Sequence, residues 1–488
     1  MTVWCLSMVL GATSVHAALP SRAAVLATVS SVADNFISAH PNPENNDWAA
    51  GVLYIGMADA FDATGNANYQ TYMQQHAASL KWLINGGTTT TNANKYAVGQ
   101  EYLHLSSDTS DLASLVAQTN AMVDADNIGA WTWVDAIYMQ MNDFTELGNR
   151  LGNSERDYHG HMYKMFDYTR TKLKLYDTTD HLWYRDGTFT WPSHQSPNGK
   201  KIYWSRGNGW VFASLARTLS TLSPASPEYS VYKQVFTDMA AALVSRQRSD
   251  GFWNSNLDDP LDHGGPETTG TAAFTYGLAV GIRMNLLTDP RYATALQSAW
   301  SGLVSTAVKS TGALGYCQPE GAAPGTATAT SSSDFCVGLV LRAGSELSRI
   351  APSPPADYAL NAPVSYSSQQ TGNEATHLVD GITTGTNRWA AQGYPQWVRV
   401  DLGAVKTITR TELTPYLSRA YQYKIEGSTD GVSYTTLVDR TSNKAGGTTL
   451  FDVFNAANVR YVRLTVTGAT AYSNQGDWVS IQELAVHP

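Results

Sequence analysis

The hydrophobic period of this chain changes once, and the change falls on a cluster of prolines. Up to about Ile350, apolar residues recur near i, i+3, i+4 and i+7 in segment after segment. Examples are Ala50 to Phe61, Tyr69 to Leu83, Asp111 to Ala125, Tyr158 to Leu175, Gly209 to Leu222, Tyr229 to Gln247, Gly270 to Leu287 and Tyr292 to Val308. Stretches such as Asn85-Gly86-Gly87 and His263-Gly264-Gly265-Pro266 separate them and read as loops. Ala351-Pro352-Ser353-Pro354-Pro355-Ala356 then forbids helix and favours extended backbone. Beyond it the period is two, in Gln396 to Leu402, Lys406 to Leu413, Tyr421 to Ser428, Tyr434 to Val438 and Val459 to Val466. The pattern predicts an all-α toroid of paired helices over residues 18–350, a Pro-rich linker at 351–356 and an all-β sandwich over 357–488.

Charged residues make up 15% of the 488, below the ~25% of an ordinary globular chain. The 32 basic and 41 acidic residues leave a net charge of −9, which argues against nucleic acid as a partner. Fourteen Trp and 26 Tyr beside so few charges suit surfaces that stack on sugars. The apolar run Val3 to Ala12 followed by Val15-His16-Ala17 reads as a signal peptide over residues 1–17. The expected mature protein is secreted, extracellular or periplasmic. No Lys or Arg precedes the run, so a misassigned start is the alternative. No other stretch approaches the ~18–20 apolar residues of a membrane span. Cleavage removes Cys5 and leaves Cys317 and Cys336, either a disulfide or two buried thiols.

The densest run of special residues is Trp204-Ser205-Arg206-Gly207-Asn208-Gly209-Trp210. Glycines let backbone approach a ligand, Arg pairs a carboxylate bidentately and Trp stacks on a ring. The bland alternative is a tight loop entering a helix with Trp as core filler. Asp135 follows Trp131 and Trp133 on an apolar stretch, where an uncompensated carboxylate is costly; it is either a working group or a helix cap. His159, His161, His181 and His263 lack metal-ligand spacing.

Trp204 to Trp210 resembles the signature of glycoside hydrolase family 105, the unsaturated rhamnogalacturonyl hydrolases. Gly99-Gln100-Glu101-Tyr102, Trp131 to Met139, Tyr184-Arg185-Asp186, Gln247 with Gly251 and Trp253, Glu267-Thr268-Thr269-Gly270, and Gln318-Pro319 with Glu346 agree in order and spacing, so the likeness spans roughly residues 25–350. It implies an (α/α)6 barrel acting on the C4=C5 enol ether left by a pectin lyase. Protonation at C4, water addition at C5 and collapse of the hemiketal release the next sugar. One carboxyl serves as acid and then base if burial raises its pKa. The resemblance implies Asp135 as that carboxyl, Arg206 as holder of the uronate carboxylate, and Trp133, Trp204 and Trp210 as ring walls, with Arg185 and Asn94 also binding substrate. The chain departs from the family at Asn92-Ala93-Asn94-Lys95, where many members carry a second Asp, and at Arg185-Asp186, where some carry His. Lys95 supplies a positive group for a carboxylate or sulfate, or is a solvated surface residue. No cofactor is expected for catalysis.

Asn373-Glu374-Ala375, Asp380-Gly381, Asn387-Arg388-Trp389-Ala390, Pro395 to Gly403, Ser428 to Gly431, Arg460 to Leu464 and Trp478 to Glu483 resemble the discoidin-like, or coagulation-factor C-type, sugar-binding module. That resemblance implies a jelly roll with a structural calcium at Asp380 and Glu483, hard oxygen ligands suited to Ca²⁺. Asp401 is expected to be purely structural, and Tyr394, Tyr416 and Tyr472 are loop positions for stacking on a sugar. The expected whole is a monomeric secreted hydrolase of pectic rhamnogalacturonan oligosaccharides, tethered to polysaccharide by its module. The alternatives are the same reaction on another uronate polymer, such as an ulvan-type one, and a degenerate glycan-binding protein.

Overall fold

The structure is a computed structural model that describes residues 19–43, 46–351, 357–443, 449–469 and 477–488. The expected signal peptide, linker residues 352–356 and Tyr472 lie outside the described residues. The chain divides into two compact units, Met1–Pro352 and Ser353–Pro488.

The first unit holds α1 (Arg22–Ala39), α2 (Trp48–Thr64), α3 (Ala67–Ser79), α4 (Gly99–Leu105), α5 (Ala113–Asp124) and α6 (Asp135–Leu151). It continues through α7 (Tyr158–Asp167), α8 (Ser205–Thr221), α9 (Tyr229–Val244), α10 (Thr268–Arg283), α11 (Pro290–Gly302) and α12 (Asp334–Ile350). The even-numbered helices form a closed inner ring: each packs on the next, and α12 packs back on α2. Odd-numbered helices lie outside, with α7 on α6, α9 on α8, α11 on α10 and α1 on α12. This is the expected (α/α)6 barrel. Sequence explains which helices are inside. In α10 every residue from Thr268 to Gly281 is buried, whereas α11 buries one stripe carrying Tyr292, Ala295, Leu296, Ala299 and Trp300.

Inner helices approach backbone to backbone where glycines face each other. A Cβ on Gly338 of α12 would lie 2.2 Å from the Val52 carbonyl oxygen of α2, and one on Gly56 would lie 2.3 Å from the Gly338 oxygen. Each outer helix returns the chain, so all inner helices point the same way. Trp48 and Phe335, from the first turns of α2 and α12, and Trp210, from the second turn of α8, accordingly meet at one end. Arg283 and Glu346, from the last turns of α10 and α12, pair at the other. The gathered N-termini make the first end electropositive.

Between α7 and α8 runs a small hairpin, β1 (Tyr176–Asp177) and β2 (Leu182–Trp183). Cys317 and Cys336 form a disulfide with Cα atoms 6.0 Å apart, tying the loop before α12 to that helix's first turn.

The second unit holds β3 (Val364–Tyr366), β4 (Trp389–Gln392), β5 (Gln396–Pro415), β6 (Tyr421–Ser428), β7 (Thr435–Arg440), β8 (Leu450–Ala469) and β9 (Trp478–His487). They pair antiparallel in the order β4-β9-β5-β8-β6-β7, with β3 also on β5. β5 and β8 are each 20 residues long, and register shifts at Asp401/Lys406 and Ile408/Arg410 bend them. The sheet thereby folds over a core that includes Trp389, Val400, Ile425, Leu464 and Ile481, giving the expected sandwich.

Gly338→Ala is expected to destabilise the helical unit by about 3 kcal/mol, because the atom it meets is backbone and the two helices must part. Gly187→Ala, with nothing within 4 Å of the added carbon, is expected to shift stability by less than about 0.5 kcal/mol; urea unfolding of both variants checks the contrast.

Candidate active site

The run from Trp204 to Trp210 is the entry of α8, and each polar residue in it ties that entry to another element. Trp204 donates its indole N–H to Gln318 Oε1 at 2.8 Å. Arg206 donates Nη1 to the Gln318 carbonyl at 2.7 Å and Nη2 to the Pro319 carbonyl at 2.9 Å. Its guanidinium lies 4.5 Å from the Trp204 ring centre and 4.9 Å from that of Phe335. Burial pushes the Arg206 guanidinium down to about 10, against the opposing pull of Glu267 and Asp135. Glu267, itself buried, accepts from the Thr269 and Gly270 N–H groups to cap α10 and from the Ser205 hydroxyl at 3.2 Å. A Cβ on Gly209 would lie 2.8 Å from the Ala273 Cβ of α10, so the glycine permits the α8–α10 contact.

Asn208 extends this frame to the hairpin. Its Oδ1 accepts from the Trp183 N–H at 2.8 Å and its Nδ2 donates to the Trp183 and Trp204 carbonyls at 3.0 Å. Beyond Trp183 the chain runs antiparallel to the approach of α6: Trp133 bridges Asp186, and the Val134 N–H donates to the Arg185 carbonyl at 2.9 Å. Arg185 therefore lies over Asp135, the first residue of α6. Arg185 Nε is 3.4 Å from Asp135 Oδ2, and Nη1 donates to Asp186 Oδ2 at 2.6 Å.

The Asp135 side chain is 13% exposed and its Oδ2 accepts no hydrogen bond. Burial is the largest influence on it and holds its carboxyl above the ordinary Asp range, although Arg185 and Arg206 pull the other way. A raised carboxyl at the mouth of a barrel can deliver a proton and then accept one from water.

The structure brings Asp135, Arg185, Trp133, Arg206, Trp204 and Trp210 to the electropositive end of the barrel, and it redistributes their expected roles. Arg206 is 1% exposed with both terminal nitrogens committed to carbonyls, so it presents no fork to a ligand carboxylate. The cation beside Asp135 that is open to a ligand is Arg185, 24% exposed. Trp204 and Trp210 are each 1% exposed and offer no face to a sugar ring. Trp210 instead packs on Tyr138 and Trp48, beneath the site. Trp133 is half-buried. Asn94 is half-buried on a short turn, Ala93–Lys95, that packs on α6; among the described residues no hydrogen bond joins it to Asp135. Sequence reasoning missed Trp48, which donates to Glu320 Oε1 at 3.2 Å, and Phe335, which covers Arg206. Neither sits in a recognisable motif; only its place on the first turn of an inner helix marks it.

In the second unit Glu483 Oε2 accepts from the Gly381 N–H at 3.0 Å, while its buried Oε1 has no partner. Burial pushes Glu483 up to about 8, helped by the negative charges of Asp357 and Asp380. Asp380 accepts from Asn387 Nδ2 at 3.1 Å. Among the described residues no three His, Cys, Asp or Glu gather as a metal cluster. Asp401 pairs with Arg460 through two contacts of 2.9 Å. The Tyr394 hydroxyl donates to the Trp478 carbonyl and its ring packs on the core, and Tyr416 lies under Arg388 at 4.6 Å, so both expected stacking rings already have partners.

Residues 27–351 match Glycosyl Hydrolase Family 88 over the whole helical unit. The chain belongs to Glycosyl Hydrolase Family 88 and is a glycoside hydrolase. Residues 377–464 match the NedA-like, galactose-binding domain, the discoidin-like module expected there. The chain is 29% identical over 331 residues to an unsaturated 3S-rhamnoglycuronyl hydrolase of Formosa agariphila, covering 62% of this chain and 85% of that protein. It is 25% identical over 328 residues to a protein of the same name from an Alteromonas species, covering 62% and 77%. A solved family 88 hydrolase from Bacteroides vulgatus superposes with a TM-score of 0.64 at 29% identity, over 68% of this chain and 99% of that one. A possible family 105 member from Salmonella enterica shares the fold, with a TM-score of 0.51 at 20% identity over 68% and 95%.

These positions separate the two arginines. Arg206→Met is expected to lower stability by about 2–4 kcal/mol, because two carbonyls lose their donors in a buried site. Arg185→Met is expected to leave the melting temperature within about 2 °C while raising KM. Thermal melts and steady-state kinetics of the pair check this.

Proposed function

We propose that this hydrolase hydrates the C4=C5 double bond of a terminal unsaturated uronic acid and so releases the sugar attached to it. The observation that carries the reading is the pairing of Asp135 with Arg185: a carboxyl kept above its ordinary range by burial, next to a partly exposed cation that is open to a carboxylate. Protonated Asp135 gives its proton to C4, leaving positive charge shared by C5 and the ring oxygen. The same carboxylate then takes a proton from the water that adds at C5, and the hemiketal opens with loss of the leaving sugar. Arg185 holds the substrate carboxylate at C5, with Trp133 beside the ring.

The two relatives named above support a rhamnoglycuronyl substrate over the pectic one expected from motifs: at 29% and 25% identity they are more similar than an unsaturated rhamnogalacturonyl hydrolase of Bacillus subtilis at 23%. Lys95 supports an anionic, sulfated leaving sugar: it is half-buried on the turn packed against α6 and forms no ion pair among the described residues. The protein acts outside the cell as a monomer, and the discoidin-like unit holds it on the polysaccharide.

Asp135→Asn is expected to lower the loss of enol-ether absorbance by about 10²- to 10⁴-fold on an unsaturated glucuronyl–rhamnose 3-sulfate disaccharide. Lys95→Ala is expected to cost activity on the sulfated disaccharide and spare it on the unsulfated one. Unchanged absorbance with the wild-type protein on unsaturated glucuronyl and galacturonyl substrates alike would remove the reading.

In the second unit, the unpartnered Glu483 Oε1 among Asp380 and Asp357 fits a calcium ion held by Glu483, Asp380 and nearby carbonyls. A carboxyl whose folded pKa is raised destabilises the fold as pH climbs from its unfolded value towards about 8, and a bound cation reverses that. Calcium is therefore expected to raise the melting temperature of this unit more at pH ~8 than at pH ~5, and not at all in Glu483→Gln.

A further inference from the structure

Two carboxylates, those of Asp135 and Asp186, already flank the Arg185 guanidinium, and a uronate bound to it would bring a third. Before binding, Arg185 faces Asp135 through Nε and donates to Asp186 through Nη1, and its side chain is partly exposed. Arg206, the other cation near Asp135, has no terminal nitrogen to spare. We propose that Arg185 is shared between Asp135 and the substrate's own carboxylate, so that binding an anionic sugar withdraws positive charge from Asp135 and loads this acid with a proton from solvent. The inference rests on the hydration reading and adds to it a substrate-driven arming step.

The proton goes to Asp135 because the alternative is occupied. Asp186 accepts from the Thr188 N–H at 2.8 Å and from its hydroxyl at 2.6 Å, which favours its charged form. Asp135 Oδ2 has no such donor and is mostly out of water. Of the other groups around α6, Asp143 lies two turns along the helix from Asp135, buried with neither oxygen hydrogen-bonded and held protonated by that burial. Those on the neighbouring helices have partners of their own. His76 pairs with Glu101 at 2.7 Å on α3 and α4, and Asp59 of α2 pairs with Arg342 at 2.8 Å. On α7, His159 contacts the Thr145 carbonyl and His161 faces Asp126 at 3.6 Å. On α8, Arg217 donates to Gln100 Oε1 at 2.7 Å. Lys95, on the turn packed against α6, is a further cation and forms no ion pair with Asp135.

The coupling favours the acid in the complex: burial already raises Asp135 in the empty site, and a sugar carboxylate that shares Arg185 raises it further. Neutral sugars fill the same space without arming the acid. The specificity for uronates then acts on the chemical step as well as on binding.

The test is titration calorimetry of the full chain with a saturated glucuronyl–rhamnose disaccharide, which lacks the double bond, in buffers of different ionisation enthalpy between pH ~5 and ~8. The expected result is uptake of up to one proton per molecule bound, absent with the uncharged uronamide. Asp135→Asn is expected to bind the disaccharide without uptake, and Arg185→Gln to bind it at least ~10-fold more weakly, also without uptake. No uptake by the wild-type protein, no binding of the disaccharide, or uptake that survives in Asp135→Asn overturns the inference. Hydration is read separately by absorbance: an active protein without uptake keeps the function and loses the coupling, and an inactive protein with uptake does the reverse.

Discussion

Arg206 is the contact on which the rest of the site depends. Its guanidinium is clamped between the Trp204 and Phe335 rings and fastened to the carbonyls of Gln318 and Pro319. That one side chain joins the start of α8 to the loop before α12, and the Cys317–Cys336 disulfide secures the same loop to the first turn of α12. Two residues on, Asn208 fixes Trp183 of β2, two residues before Arg185. A buried charge with aromatic faces and carbonyl partners is costly to desolvate, and it is tolerated because it is satisfied on every side. The cost goes into rigidity where six inner helices open towards substrate.

The division of labour between the two arginines follows from exposure. Both carry the same charge and both bear on Asp135. The buried one acts as scaffold and as a fixed part of the electrostatic field; the partly exposed one can exchange partners. Asp135 sits on the first turn of α6, where the helix dipole and two cations favour ionisation and burial opposes it. A group balanced between such opposing effects is one whose protonation a bound anion can change.

Much of this was legible in the chain. Period and prolines separated a helical half from a strand-rich half, and the periods fall on α2, α3, α5, α7, α8, α9, α10 and α11. Helices α1, α4, α6 and α12 and strands β3, β4 and β9 were not read, and the stretches Gln396 to Leu402 and Lys406 to Leu413 are one bent strand, β5. The run from Trp204 to Trp210 marked the site, and Asp135 stood out as a carboxylate in apolar company. Roles were harder to read than places, because residue type does not reveal exposure. An Arg flanked by Trp reads as a ligand-binding fork, yet its donors face the Gln318 and Pro319 carbonyls more than a hundred positions away along the chain. Trp210 likewise looks like a sugar platform until Tyr138 and Trp48 are seen to cover it. Phe335 and Trp48 carried no local signal, since only barrel closure brings the N-terminal turns of α2, α8 and α12 together. In the second unit Glu483 was marked by motif, while its orphaned oxygen is visible only once Asp380 and Asp357 are in place around it.

The central claim is that the bond attacked is the enol ether and that the glycosidic bond falls only as a consequence. Proton NMR of the reaction in D2O, on an unsaturated glucuronyl–rhamnose 3-sulfate disaccharide, tests it most directly. The expected result is loss of the vinylic H4 signal in step with release of the rhamnose reducing end, with one deuteron placed at C4 by Asp135. Release of rhamnose while the H4 signal persists on the uronate would show direct glycosidic cleavage and contradict the account.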